Sequence, residues 1–116
     1  MTKTVKKYDL EERTLKFARK VRQFVSQIRQ TARNREDSRQ LLRSSGSVGA
    51  NYIEANEALS KKDFIHRIKI SRKESKESRY WLKLLDVGGL EKERGILIQE
   101  ATELMKIFGS IIRKSN

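Results

Sequence analysis

Residues 40–85 read QLLRSSGSVGANYIEANEALSKKDFIHRIKISRKESKESRYWLKLL, and their phasing decides the fold. Two seams with alternating spacings of three and four run through this stretch. The first is Ser38, Leu41, Ser45, Val48, Tyr52, Ala55 and Leu59; the second is Phe64, Ile68, Ser71, Ser75, Ser78, Leu82 and Leu85. That spacing marks two helices, each turning one stripe toward a partner. Small and polar residues hold seam positions where leucine would be ordinary, so the two helices are expected to approach closely.

The SSGSVG segment, residues 44–49, can be read as a loop or as helix with a kink or a close contact. Gly46 and Gly49 each cost roughly 1 kcal/mol relative to alanine inside a helix. The seam nevertheless crosses both glycines without losing phase, which favours helix. Glycines of the second helix facing serines of the third are the expected contact. Ser60, three residues before Asp63, resembles a capping box that opens the third helix.

Outward from this centre the same periodicity continues. Upstream lie Leu10, Thr14, Phe17, Val21, Phe24 and Ile28, with Ala18 and Val25 beside them and Asp9, Glu11 and Glu12 expected in the first turn. Asn34 suits a turn. Downstream, Gly88-Gly89 suits a helix stop. Then come Leu90, Arg94, Leu97, Ala101, Leu104, Phe108 and Ile111, flanked by Ile98, Met105 and Ile112, with Arg113 and Lys114 at the dipole's negative end. The prediction is an all-α, antiparallel up-down-up-down four-helix bundle in one domain over 1–116, with helices at about 9–31, 36–59, 61–87 and 90–114. The absence of proline leaves the helices little to interrupt them.

The formal net charge is +12. Residues 1–45 carry 13 Lys/Arg against 5 Asp/Glu, and residues 61–86 carry 9 against 4. A one-sided basic surface attracts polyanions by counterion release, without reading bases. The candidate phosphate contacts are Arg29, Arg33, Arg35, Arg39 and Arg43 around the first connection, with Lys69, Arg72, Lys73, Lys76 and Arg79 on the third helix. The last five cannot all face one way. The bland alternative is a basic surface that serves solubility.

With no cysteine and one histidine, His66, a disulfide framework, a thiolate metal site and a Ser/His/Asp set find no support. His66 is expected at the surface, and no metal or other cofactor is expected. No apolar run is long enough to span a bilayer, the N-terminus lacks a signal-peptide core, and the cytoplasm is the default location. Ser47, Asn51 and Glu54 share a face beside the seam. Glu54 there needs a partner, with Arg72, Lys73, Ser71 and Ser75 as candidates. Ser47, Asn51, Glu54, Ser71 and Glu77 are expected to form a structural polar network. The sharper reading, Glu54 as a ligand or catalytic carboxylate, stands beside it, and a metal-dependent RNA-processing site would need Glu54, Glu57, Glu74 and Glu77 together.

Ser47-Val48-Gly49-Ala50-Asn51-Tyr52-Ile53-Glu54-Ala55 resembles the Ser-Ile-Pro-x-Asn-Ile-x-Glu-Gly motif of the bacterial four-helix-bundle proteins, the 23S rRNA intervening-sequence proteins. Gln40 with Leu41-Leu42-Arg43 resembles the stretch before that motif. Ser60 to Phe64 resembles its Ser-x-x-Glu-Phe entry, and Ile70-Ser71-Arg72 with Glu77 resembles its Ile-Ala-Arg-Gly-Ser-x-x-Glu run. Gly49 stands where proline is usual, Ala55 where glycine is usual, and Lys73-Glu74 replace Gly-Ser. The resemblance implies a homopentameric ring. It also extends to the accessory proteins of diversity-generating retroelements, basic pentamers that bind nucleic acid with a reverse transcriptase. The expected function is therefore non-enzymatic binding of structured RNA or DNA by a self-associating bundle. The alternative is a structural or adaptor oligomer that takes a protein partner such as a reverse transcriptase, signalled by an exposed apolar patch around Tyr80 and Trp81.

Overall fold

The computed structural model describes residues 2–115, with side chains over 10–115. Four helices follow one another: α1 (Thr2–Ser26), α2 (Ala32–Asn56), α3 (Lys61–Leu84) and α4 (Glu91–Ser115). Each packs on its neighbours in the chain, and α4 closes back on α1, while the diagonal backbones stay apart and meet only through core side chains. The pairing across α2 and α3 is antiparallel in register. Ser44 meets Ser78, Val48 meets Ser71 and Asn51 meets Arg67, so one number falls as the other rises. Across α3 and α4, Arg79 meets Thr102 and Arg72 lies beside Gly109, in the same sense. The result is an all-α four-helix bundle of 44 × 26 × 19 Å.

The seam residues occupy the core. Phe17, Val21, Leu41, Val48, Ile68, Leu82, Leu104 and Phe108 are essentially inaccessible to water, and Tyr52 packs on Phe108 with ring centroids 6.2 Å apart. Full burial of such side chains stabilises the fold by about 1.5–3 kcal/mol apiece. The seam serines are buried as well. Ser71 Oγ donates to the Val48 carbonyl at 2.9 Å, Ser44 and Ser78 share a hydrogen bond of 2.9 Å, and Ser75 Oγ donates to the Ser71 carbonyl at 2.9 Å. A side chain bonding to a backbone carbonyl of the facing helix requires the two axes to lie close, which small residues permit.

Helix boundaries differ from expectation for local reasons. α1 starts at Thr2 rather than near residue 9, so Glu11 and Glu12 lie inside it and no acidic residue occupies its first turn. The Asp9 side chain lies outside the described residues. α1 ends at Ser26, yet Ile28 still reaches the core. Thr31 caps α2, its side chain accepting the Asn34 amide at 3.1 Å, so Asn34 belongs to the first turn of α2 rather than to a loop. α2 stops at Asn56, which leaves Leu59, expected in the seam, 99% exposed. Ser60 caps α3 through the Asp63 amide, also at 3.1 Å. Gly88 adopts φ +58 in the last connection, a conformation that suits glycine.

Residues 44–49 are continuous helix. The glycines there do not face α3, contrary to expectation. A Cβ on Gly49 would sit 2.8 Å from Thr14 Oγ1 and 3.1 Å from Thr14 Cβ, so Gly49 marks a close approach of α2 to α1. One residue turns a helix by about 100°. Val48 therefore looks to α3 while Gly49 looks to α1.

Candidate nucleic-acid interface

The outer face of α3 carries one row of side chains at alternating steps of four and three: Lys62, His66, Lys69, Lys73, Lys76, Tyr80 and Lys83. All seven are exposed. The row is the side of α3 opposite its seam, and at 1.5 Å per residue it runs about 32 Å. Its lysines form no ion pair or hydrogen bond with any described side chain. Five free ammonium groups in line, with a phenol among them, suit a run of phosphates. They offer no rigid forked donors of the kind that read base edges.

The ten expected phosphate contacts separate into groups. Lys69, Lys73 and Lys76 stand together in this row. Arg72 and Arg79 lie around the helix toward α4, where Arg79 Nη1 donates to Thr102 Oγ1 at 3.2 Å and Arg72 runs alongside Gly109. Arg29, Arg33 and Arg35 are exposed around the α1–α2 connection, with guanidinium groups that meet no described partner. Arg39 pairs with Glu36 at 2.7 Å. That bond, seconded by Gln40, holds the Glu36 carboxyl below its ordinary range. Arg43 is engaged by two carboxylates of α3, at 3.4 Å from Glu74 and in direct contact with Glu77. Arg43 thus joins helices, and its charge is already answered.

The expected polar network also divides. Asn51 Nδ2 donates to the Ser47 carbonyl and to Ser47 Oγ, both at 2.9 Å, and Asn51 Oδ1 accepts from Arg67 at 3.0 Å. Ser71 bonds to Val48 as described. Glu77 takes Arg43 and, at 3.3 Å, the Trp81 indole N–H. Glu54 does not join. It is exposed, and its carboxylate meets none of Arg72, Lys73, Ser71 or Ser75. The reason is its angle on α2: Asn51 looks to α3, and Glu54 is turned roughly 60° further toward solvent. Glu74 and Glu77 share Arg43, away from Glu54 and Glu57, and no group of three acidic or histidine side chains able to hold a metal ion occurs among the described residues.

Two residues of the row escaped sequence reasoning, Lys62 and Lys83, while His66 is exposed as expected. Their signal was available, since 62–66–69–73–76–80–83 continues the alternating spacing already used to find the core seam. A second missed group is Arg94, expected in the α4 seam. Its Nη1 donates to the Leu85 carbonyl at 2.6 Å and the Leu82 carbonyl at 3.2 Å, capping the carboxyl end of α3. A third is Arg13, which binds Glu100 at 2.7 and 2.9 Å and Glu103 at 2.8 Å, tying α1 to α4. These bonds, Glu100 foremost, raise the Arg13 pKa above its ordinary value.

Against known proteins, the family model of the 23S rRNA-intervening sequence protein matches residues 6–110. The chain belongs to this family. Among solved structures it is similar to a protein of unknown function from the S23 ribosomal protein family of Bacteroides thetaiotaomicron, with 32% identity and a TM-score of 0.75 over 88% of this chain and 96% of that one. No curated protein shows significant similarity. For this intervening-sequence protein, the Ser47-to-Ala55 motif is thus helical throughout. Its Asn51, held by Ser47 within α2, meets Arg67 of α3, and its Gly49, where proline is usual, lies against α1. No helix among the described residues is long and apolar enough to cross a membrane.

Proposed function

We propose that this 23S rRNA-intervening sequence protein is a non-enzymatic, self-associating bundle of the cytoplasm that binds structured RNA or DNA through phosphate contacts along the outside of α3. The observation that supports this reading is the row of five unpaired lysines, continued at one end of the bundle by free Arg29, Arg33 and Arg35. Exposed lysines neutralise phosphates at little desolvation cost and release the cations condensed on the nucleic acid, so such a face favours polyanions over neutral partners. A homopentamer, as the family resemblance implies, would present the row five times and raise avidity without any new contact. Fluorescence anisotropy with a hairpin RNA and a DNA duplex across a salt series tests the reading. On the duplex, log affinity should fall with log salt at a slope of about −4.5 if all five lysines neutralise phosphates. A flat slope, or no binding at low salt, overturns it.

A second reading, an adaptor for a protein such as a reverse transcriptase, is favoured by one feature. Tyr80 is 58% exposed, lies edge-on to Trp81 with centroids 5.1 Å apart, and neighbours the 52% exposed Leu84. Tyr80→Ala would weaken protein binding and leave the salt slope of nucleic-acid binding unchanged if this patch serves a protein.

A further inference from the structure

A groove of about 1100 Å³ runs between α1 and α4, far from the lysine row. These two helices pack least closely of the neighbouring pairs, and the Arg13 guanidinium bridges them through Glu100 and Glu103. The floor is apolar: Leu15 is 44% exposed, Ile96 is 55% exposed, and Leu97 is buried beneath them. Gly95 lies in the groove wall, inside α4, and a Cβ there would meet nothing within 4 Å. A glycine inside a helix costs roughly 1 kcal/mol against alanine, and here no contact within the chain explains it. The rim holds Lys16, Arg19, Lys20 and Lys92, none paired with a described residue, against one free carboxylate, Glu12.

We infer that this groove seats an acidic amphipathic helix of a partner protein. Two roughly antiparallel helices with an apolar floor accept a third helix laid along them, read by apolar anchors at i, i+3, i+4 and i+7. Gly95 removes the side chain that would hold such a helix off. The four rim cations select glutamates or aspartates on its flanks, and charge complementarity of this kind steers encounter and excludes basic partners. A nucleic acid fits less well, because the lining has no aromatic ring on which a base could stack.

The test uses the full chain in its native assembly and three fluorescein-labelled probes. One is a synthetic helix with leucines on one face and glutamates on the other, one is the same composition scrambled so that no face forms, and one is a poly-uridine oligonucleotide. The amphipathic probe should bind at least tenfold more tightly than the scrambled one. Ile96→Asp and Gly95→Leu should each weaken it at least tenfold, with oligonucleotide affinity and assembly mass by light scattering unchanged. Gly95→Leu adds a side chain to open space, so thermal stability should hold or rise, which separates blockage from misfolding. Equal binding of the scrambled probe, or binding insensitive to both variants, overturns the inference. A fall in assembly mass with Ile96→Asp also overturns it and assigns the groove to a second copy. A fall in oligonucleotide affinity with both variants overturns it in favour of a nucleic-acid groove.

Discussion

Asn34 grips the backbone of Asp86 from 52 residues away. Its Oδ1 accepts the Asp86 amide at 3.1 Å, and its Nδ2 donates to the Asp86 carbonyl at 2.8 Å and to the Arg29 carbonyl at 2.9 Å. One buried amide therefore pins the α1–α2 and α3–α4 connections together at the same end of the bundle. Asn34→Ala strips three backbone groups of their partner, each worth about 1–3 kcal/mol when left unsatisfied, with water able to replace some. A net loss of about 2–3 kcal/mol, seen as a lower urea midpoint, is expected. Asn34→Asp should be no better, because it keeps the acceptor and loses the donor that both carbonyls require.

The interior glycines should respond with opposite signs. Gly95→Ala meets nothing and should gain up to ~1 kcal/mol of helix propensity. Gly49→Ala gains the same propensity but drives a methyl against Thr14, and overpacking typically costs about 1–3 kcal/mol. A lower melting temperature is expected, with part of the loss recovered in Gly49→Ala/Thr14→Ala. Thermal denaturation of the three variants checks both signs.

Removal of lysines from the α3 row should change the salt dependence of RNA binding. Lys69→Ala, Lys73→Ala and Lys76→Ala should each flatten the slope of log affinity against log salt by about 0.9 on duplex DNA. Arg43→Ala should leave that slope nearly unchanged and lower stability instead, because Arg43 already serves Glu74 and Glu77. An equal effect from all four would mean that the row is not the binding face.

Acid should loosen the α1–α4 tie. The Gln99 amide and then the Arg13 guanidinium hold the Glu103 carboxyl below its ordinary value of 4.5. A group whose pKa is depressed on folding contributes stability above its unfolded value and loses it as pH falls through the folded one. Glu103→Gln should therefore lower the melting temperature at pH 7. That difference should shrink as pH drops below 4.5, where the wild-type carboxylate is itself protonated. A difference independent of pH would show that ionisation of Glu103 contributes nothing.

The seams were legible because burial on a helix repeats every three or four residues, and that signal is local. It located four helices, put Val48, Ile68, Leu82, Leu104 and Phe108 at the core, and carried the second helix through Gly46 and Gly49. The lysine row was equally legible, since an exposed face obeys the same period. Five cations of α3 could not all face one way, and Arg72 and Arg79 are the two that lie toward α4.

The rest lay with partners distant in sequence. Periodicity assigns a residue to a face, but the helix across from that face is settled only when all four pack. So it could not say that Gly49 meets Thr14 rather than α3, that Glu54 points to water, or that Arg43 is consumed by two carboxylates. Nor could it find Asn34 at Asp86, Arg94 at the end of α3, or Arg13 at Glu100, 87 residues apart. The chain alone determined which stripe of each helix is buried, because hydrophobic burial needs no particular partner. Tertiary structure decided which polar groups pair and which stay free, because a hydrogen bond or ion pair needs a specific atom within about 3 Å.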